Sequence, residues 1–201
     1  MVIGPQRADR HMTLEEWVHE ELVRQAQKGD AEAFDALARM VGDRCLAIAV
    51  RILRDLHLAE DAVQAALITA WTELRTLRDP SRFEPWLHRI LTNACYAEAR
   101  SRTRWSEGMR VLPVAGTYGP DDYLTVDDRD LLERAFRRLT LEQRAVLVFH
   151  HYLGLSISEV ATRTDLPVGT AKSRLHHATR ALKASIDADA RAIPPSQERL
   201  A

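Results

Sequence analysis

Cysteine is scarce in this sequence: Cys45 and Cys95 are the only two, far apart and each among apolar neighbours. That excludes a disulfide-stapled scaffold, which needs several paired cysteines. Both residues suit buried positions as small hydrophobes. Long apolar runs are missing too. No stretch approaches the roughly 18 residues of a membrane span, and the N-terminus lacks the charged-then-apolar pattern of a secretory leader. Membrane insertion is therefore not expected, and the cytoplasm is the expected compartment. Aromatic residues are few, at 6%, and no run alternates in the way a half-buried strand requires. A surplus of either charge is absent as well: 28 Lys and Arg face 29 Asp and Glu, for a net −1. Such a balance disfavours a freestanding, sequence-indifferent DNA binder, whose affinity comes from clustered cations neutralising phosphate. Eight histidines occur, yet none stands in H-x-x-x-H spacing. The adjacent pairs His150–His151 and His176–His177 would point about 100° apart on a helix. No metal site, cofactor or catalytic residue is expected from them, and enzyme function is disfavoured.

What the sequence does contain is helical rhythm. Leu14, Trp17, Leu22 and Ala26 form a first apolar series that stops at Lys28-Gly29. Asp30 is placed to cap the next helix, which carries Phe34, Leu37, Val41, Cys45, Ile48 and Ile52 at spacings of three and four. His57 to Leu77 repeats the pattern. The break "RDPSRFEP", residues Arg78–Pro85, holds two prolines, and helical spacing resumes at Trp86. Glycine, proline and aspartate gather between Gly108 and Asp128, a stretch too long and aperiodic for a loop inside a compact domain. Helices return at Leu131–Leu139 and, behind the N-cap Thr140, at Leu141–Leu153. The expected fold is all-α: two small helical domains joined by a flexible linker. The boundaries are a mobile arm at 1–12, a four-helix domain at 13–105, an acidic linker at 106–127, a smaller domain at 128–187 and a frayed tail at 188–201.

Charge is unevenly placed along this frame. Arginines concentrate at Arg100, Arg102 and Arg104 and at Arg134, Arg137 and Arg138, with Lys172, Arg174 and Arg180 further on. Asp121, Asp122, Asp127 and Asp128 lie between the first two groups. The stretch "SISEVATRTDLPVGTAKSRLHHATRAL", Ser156–Leu182, gives the distribution a purpose. Ser156 and Glu159 have capping-box spacing, and Pro167 fits the first turn of a second helix. On that helix Val168, Ala171, Leu175, Ala178 and Leu182 make one apolar stripe. Lys172, Ser173, His176, His177 and Arg180 fall roughly opposite it. A short helix, a tight turn and a second helix with outward polar donors is helix-turn-helix geometry, able to reach base edges and phosphate. A merely solvated outer face is the competing reading of the same pattern.

The segment "LPVGTAKSRL", with "LTLEQRAVLVFHHYLGLSISEVA" before it, resembles region 4 of the extracytoplasmic-function (ECF) sigma factors of bacterial RNA polymerase. Independently, "AEDAVQAALITAWTELRTLRDPSRFEPWLHRILTNACYAEAR", Ala59–Arg100, resembles region 2 of the same group. Two signatures in the right order, covering most of the chain, make the resemblance specific. It implies a protein that binds polymerase core, through the clamp helices of the largest subunit and the flap, and directs promoter-specific initiation. Glu60, Asp61, Gln64 and Leu67 are the implied core contacts, although Leu67 and Trp71 also suit a core. Ser81, Arg82, Phe83, Arg89, Asn93 and Arg100 are implied at the downstream (−10) element, where separated bases are captured. Phe83 and Trp86 fit loop anchors equally well. Lys172, Ser173, Arg174, His176, His177 and Arg180 are implied at the upstream (−35) element. His177 stands where the group often has arginine, and Ala97 where a second polar residue is common, so base choice is expected to differ. An anti-sigma factor is the implied inhibitory partner, closing the two domains and hiding the polymerase-binding surface. The rival reading is a one-component helix-turn-helix regulator that binds DNA without polymerase.

Overall fold

The computed structural model of the chain describes residues 14–106 and 126–192, and the regular structure among them is entirely helical. The first half consists of α1 (Leu14–Gln27), α2 (Ala31–Leu53), α3 (Leu56–Glu73) and α4 (Phe83–Ser106). The second consists of α5 (Val126–Arg137), α6 (Leu141–Leu147), α7 (Ile157–Thr164) and α8 (Val168–Ala192). Single 3₁₀ turns follow α3 and precede α4, and a π turn, Val148–Tyr152, continues α6.

Local chemistry sets the boundaries. The Asp30 carboxylate accepts the Glu32 and Ala33 N–H groups, and Asp55 accepts that of Leu58. Thr140 with Gln143 and Ser156 with Glu159 both close full capping boxes, satisfying donors that a helix start leaves orphaned. Arg54 and Asp165 end α2 and α7 in the left-handed region, at φ +62° and +54°, which turns the chain out of the helix axis. On α3 the buried residues are Ala59, Ala62, Ala66 and Ala70. Their small side chains let α3 approach α2 and α4 closely, and it packs against both.

Four expected boundaries move. Helix α4 begins at Phe83 rather than Trp86, because Pro85 then falls in a first turn, where a missing N–H is harmless. The expected single helix Leu141–Leu153 changes to a π turn at Val148. Helix α5 begins at Val126, ahead of the expected start at Leu131, so the end of the expected linker, Asp127, is already helical. Helix α8 continues beyond Ile186, where fraying is expected, as far as Ala192. Its apolar face does run out there, but polar ties replace it. Arg138 donates to the Ser185 hydroxyl at 2.9 Å and lies 2.7 Å from the Asp189 carboxylate, which Arg134 approaches at 3.5 Å. The expected arm 1–12, most of the expected linker with Asp121 and Asp122, and the last residues of the tail lie outside the described residues.

The two halves share one continuous core, running from Val23 on α1 to Ala178 on α8. Helix α4 packs on α7, and α2 on α6. Phe149, fully buried in the π turn, sits 5.7 Å from the His88 ring on α4. Arg51 on α2 places its guanidinium 3.8 Å from the centre of the Tyr152 ring, and Arg54 pairs with Glu133 of α5.

Candidate nucleic-acid and protein interfaces

Helix α8 carries the first surface. Ala171 and Ala178 are buried, and Leu175 and Leu182 half-buried against the core. That orientation exposes Lys172, Ser173, His176, His177 and Arg180 on the opposite side. Five of the six upstream-element candidates therefore share one open face. The His176 and His177 rings lie edge to face, 5.7 Å apart. Ser173 donates its hydroxyl to the Thr170 carbonyl at 3.0 Å. Arg174 departs from the group: it is half-buried, and its guanidinium lies beside the Tyr96 phenol on α4. Burial, followed by the Glu142 carboxylate, pushes that phenol up to about 12. Thr170 and Gln143 were not singled out in the sequence. They line an open cleft of about 430 Å³ with Ser173, Arg174 and His177, between the start of α6 and α8. Gln143 reads as a capping residue and Thr170 as an ordinary helical threonine, so neither gave a signal. Val168, expected in the apolar stripe, is 52% exposed, because it precedes the first turn that packs.

Helix α4 carries the second surface. Arg89, Asn93, Ala97 and Arg100 are all exposed, at spacings that keep them on one side of the helix. The loop candidates stand at its N-terminal end. Asp79 caps the 3₁₀ turn by accepting the Ser81 N–H at 3.1 Å and the Ser81 hydroxyl at 2.7 Å, and lies 3.7 Å from Arg82. Ser81 and Arg82 are exposed. Phe83 is a correction: at 1% exposure it fills the core, with its ring 5.4 Å from His19 and 6.1 Å from Trp86. A ring held that way anchors the loop and offers no face to a base. Loop and helix candidates thus form a strip along α4, about 10 Å or more from Ser81 to Arg89 at helical rise. Arg89 reaches toward Asp165 of the helix-turn-helix turn, at 3.9 Å. Arg102 pairs with Asp55, the N-cap of α3, so it is engaged within the fold. Burial works to raise the Asp55 carboxyl. The Leu58 N–H and the Arg102 guanidinium outweigh it and hold the group below its ordinary value.

Helix α3 carries a third surface of different character. With its alanine stripe turned inward, Glu60, Asp61 and Gln64 are exposed and Leu67 is half-buried. The same side continues into Ile68, 59% exposed, and Trp71, 38% exposed. Trp71 stacks obliquely on Phe34 with centroids 5.0 Å apart. Sequence periodicity favoured the core for Trp71. It misled because alanines take the buried positions and push the large residues to the rim. Among the described residues no cluster of His, Cys, Asp and Glu could hold a metal ion, and no helix is long and apolar enough to cross a membrane.

Comparison with known proteins bears on all three surfaces. Residues 37–105 match the Sigma-70 region 2 family, and residues 129–182 match Sigma-70 region 4. The chain is 34% identical over 166 residues to the ECF RNA polymerase sigma factor SigL of Mycobacterium tuberculosis, covering 79% of this chain and 93% of that protein. It is 30% identical over 175 residues to the RNA polymerase sigma-H factor of Pseudomonas aeruginosa, covering 81% and 91%. Among solved structures, the sigma factor RpoE from Bartonella quintana, in complex with the anti-sigma factor NepR, matches with a TM-score of 0.65 and 26% identity, over 79% of this chain and 99% of that one. CnrH in complex with the cytosolic domain of CnrY matches with a TM-score of 0.59 and 26% identity, over 86% and 99%. The α4 and α8 faces fall within the two matched regions, in the same order. The chain belongs to the ECF sigma factors of RNA polymerase, proteins that direct transcription from selected promoters.

Proposed function

We propose that the three surfaces divide the work of initiation. The acidic and apolar side of α3, with Glu60, Asp61, Gln64, Leu67, Ile68 and Trp71, docks on the clamp helices of polymerase core, and the second half meets the flap. The α8 face, led by Lys172 and His177, reads the upstream element in the major groove of duplex DNA. Asn93, Arg89 and Arg100 on α4, with Ser81 and Arg82 at its end, hold the downstream element once its bases leave the stack. The observation that carries this reading is the separation of two polar, cation-bearing reading faces from one carboxylate-bearing docking face, on different helices of a chain with net charge −1. Such a chain gains its DNA affinity from a basic partner's context and contributes specificity itself. It acts where polymerase is, in the cytoplasm, and no step of this role calls for a catalytic residue or cofactor. The anti-sigma partner named for the Bartonella quintana relative supports restraint of this chain by a protein of that class.

Transcription in vitro tests the proposal. Purified chain plus core polymerase initiates from a restricted set of genomic promoters, and neither component alone does so. Specific binding of the isolated chain to duplex promoters, with no gain of transcripts on adding core, would favour a one-component regulator instead.

A further inference from the structure

His88 on α4 and Arg163 on α7 are buried polar residues that meet across the two halves, 3% and 8% exposed. Arg163 Nε donates to His88 Nδ1 at 3.3 Å, and its Nη1 reaches the Glu159 carbonyl at 3.4 Å. The accepting Nδ1 is therefore unprotonated, and the imidazole neutral. Beside it, Arg89 of the α4 reading face approaches Asp165 in the turn of the helix-turn-helix at 3.9 Å. We propose that this pair is a proton-sensitive latch: with His88 neutral it holds the buried side of α4 against α7 of the helix-turn-helix, and protonation of His88 releases the second half.

The surroundings of His88 leave an imidazolium no support. From α7 it faces the Arg163 guanidinium, and from α2 the charge of Arg44. The π turn presents the apolar Phe149 ring, and the neighbouring His150 binds the Leu155 carbonyl at 2.7 Å. Three carboxylates lie within a helical turn of the pair, and all are engaged elsewhere: Asp165, at the end of α7, faces Arg89. Glu84, on α4 itself, lies 3.4 Å from Arg44. Glu159, on α7, accepts the Ser156 N–H and hydroxyl. Protonation removes the acceptor for Arg163 Nε and sets two cations against each other in a site with little water. Burial first, then Arg163, then Arg44, push His88 down to about 3. Removing α7 and the π turn takes away the Arg163 and Phe149 contacts and returns the ring toward its ordinary 6.5. The sign follows. A group with a lower pKa in the closed form supports closure fully above the open-form value and progressively less as pH falls below it. The open-to-closed ratio rises about tenfold from pH about 7.5 to about 5.5.

The α3 docking face takes no part in this contact: Glu60, Asp61 and Gln64 stay exposed in the closed form. The residues of the α4 and α8 faces stay exposed as well, so closure hides neither side and instead fixes the position of the α4 face relative to the α8 face. The meaning of the latch for promoter reading rests on the function proposed above; the conformational change itself does not.

Single-molecule energy transfer on the full chain tests it. Dyes on the exposed positions Glu73→Cys of α3 and Lys183→Cys of α8 report separation of the halves, since Cys45 and Cys95 are buried. The expected result is an open population that grows about tenfold relative to the closed one over that pH range. His88→Gln, whose amide oxygen still accepts from Arg163 but does not titrate, stays closed throughout. His88→Lys is open at both pH values with its helical circular dichroism intact. A ratio that does not move in the unsubstituted background, or that moves equally with His88→Gln, overturns the latch. Should His88→Lys lose helicity, the His88→Gln comparison decides alone. Failure of the chain to support promoter-dependent transcription would remove the initiation role and leave the energy-transfer result standing.

Discussion

Lys172 and His177 sit on the exposed side of α8, one turn and a little more apart. Their substitution by alanine removes polar contacts without disturbing the core. Each is expected to weaken use of promoters that depend on the upstream element by about 1–3 kcal/mol where it touches a base, with polymerase binding unchanged. Transcription from promoters with and without that element measures it, and equal output from both variants on both templates would reduce the face to a solvated surface. Asp55 illustrates a residue whose work is internal. It caps α3 through Leu58 and pairs with Arg102 of α4. Asp55→Ala is expected to lower stability by about 1 kcal/mol, the usual worth of a lost N-cap. The folded-state pKa lies below the ordinary 3.8, so this contribution is present above that value and is lost as pH falls below it. Urea unfolding of both proteins at neutral and strongly acid pH should show the difference shrinking with acidification.

At the scale of elements, α3 shows how a stripe of small side chains redirects a helix. The alanine stripe of α3 occupies the buried side, so Ile68 and Trp71 emerge beside Glu60, Asp61 and Gln64. Apolar groups rimmed by carboxylates suit a protein partner better than nucleic acid, whose phosphates the carboxylates would repel. Ile68→Asp and Trp71→Ala are therefore expected to weaken association with core polymerase at least tenfold, on the order of 1.4 kcal/mol or more. Helicity and promoter preference of whatever complex remains should persist. Binding measured by titration, with circular dichroism as control, checks this, and unchanged affinity would move the docking surface elsewhere. On α4 the large apolar side chains do turn inward. Phe83 packs inside with Leu87 and Leu91, and Arg89, Asn93 and Arg100 are exposed on the other side.

At the scale of the molecule, the described residues of the two matched regions share one core. A core that passes without interruption from α1 to α8 couples the halves, so unfolding either exposes apolar surface on the other. Heating the chain at neutral pH is expected to give a single calorimetric transition, with calorimetric and van't Hoff enthalpies in agreement. Two resolved transitions would show that the shared core contributes little. The same experiment near pH 5.5, where an imidazolium at His88 opposes closure, should broaden or split the transition.

Much of the architecture was already legible in the residues. Asp30, Thr140 and Ser156 cap helices where expected, because capping is a matter of a few neighbouring atoms. The α8 face was legible for the same reason: its buried and exposed residues alternate at helical spacing. Phe83, Trp71, Arg174, His88 and Arg163 were not. An aromatic in a proline-bearing loop, a tryptophan on a half-apolar helix and a guanidinium or imidazole in a polar stretch fit surface and interior alike. Their fate depended on which helix packed against which, a long-range choice that no local spacing records. The sequence by itself determined the helices, their caps and the family. Only the tertiary structure decided that α4 faces the helix-turn-helix, and hence that a histidine and an arginine 75 residues apart share one dry contact.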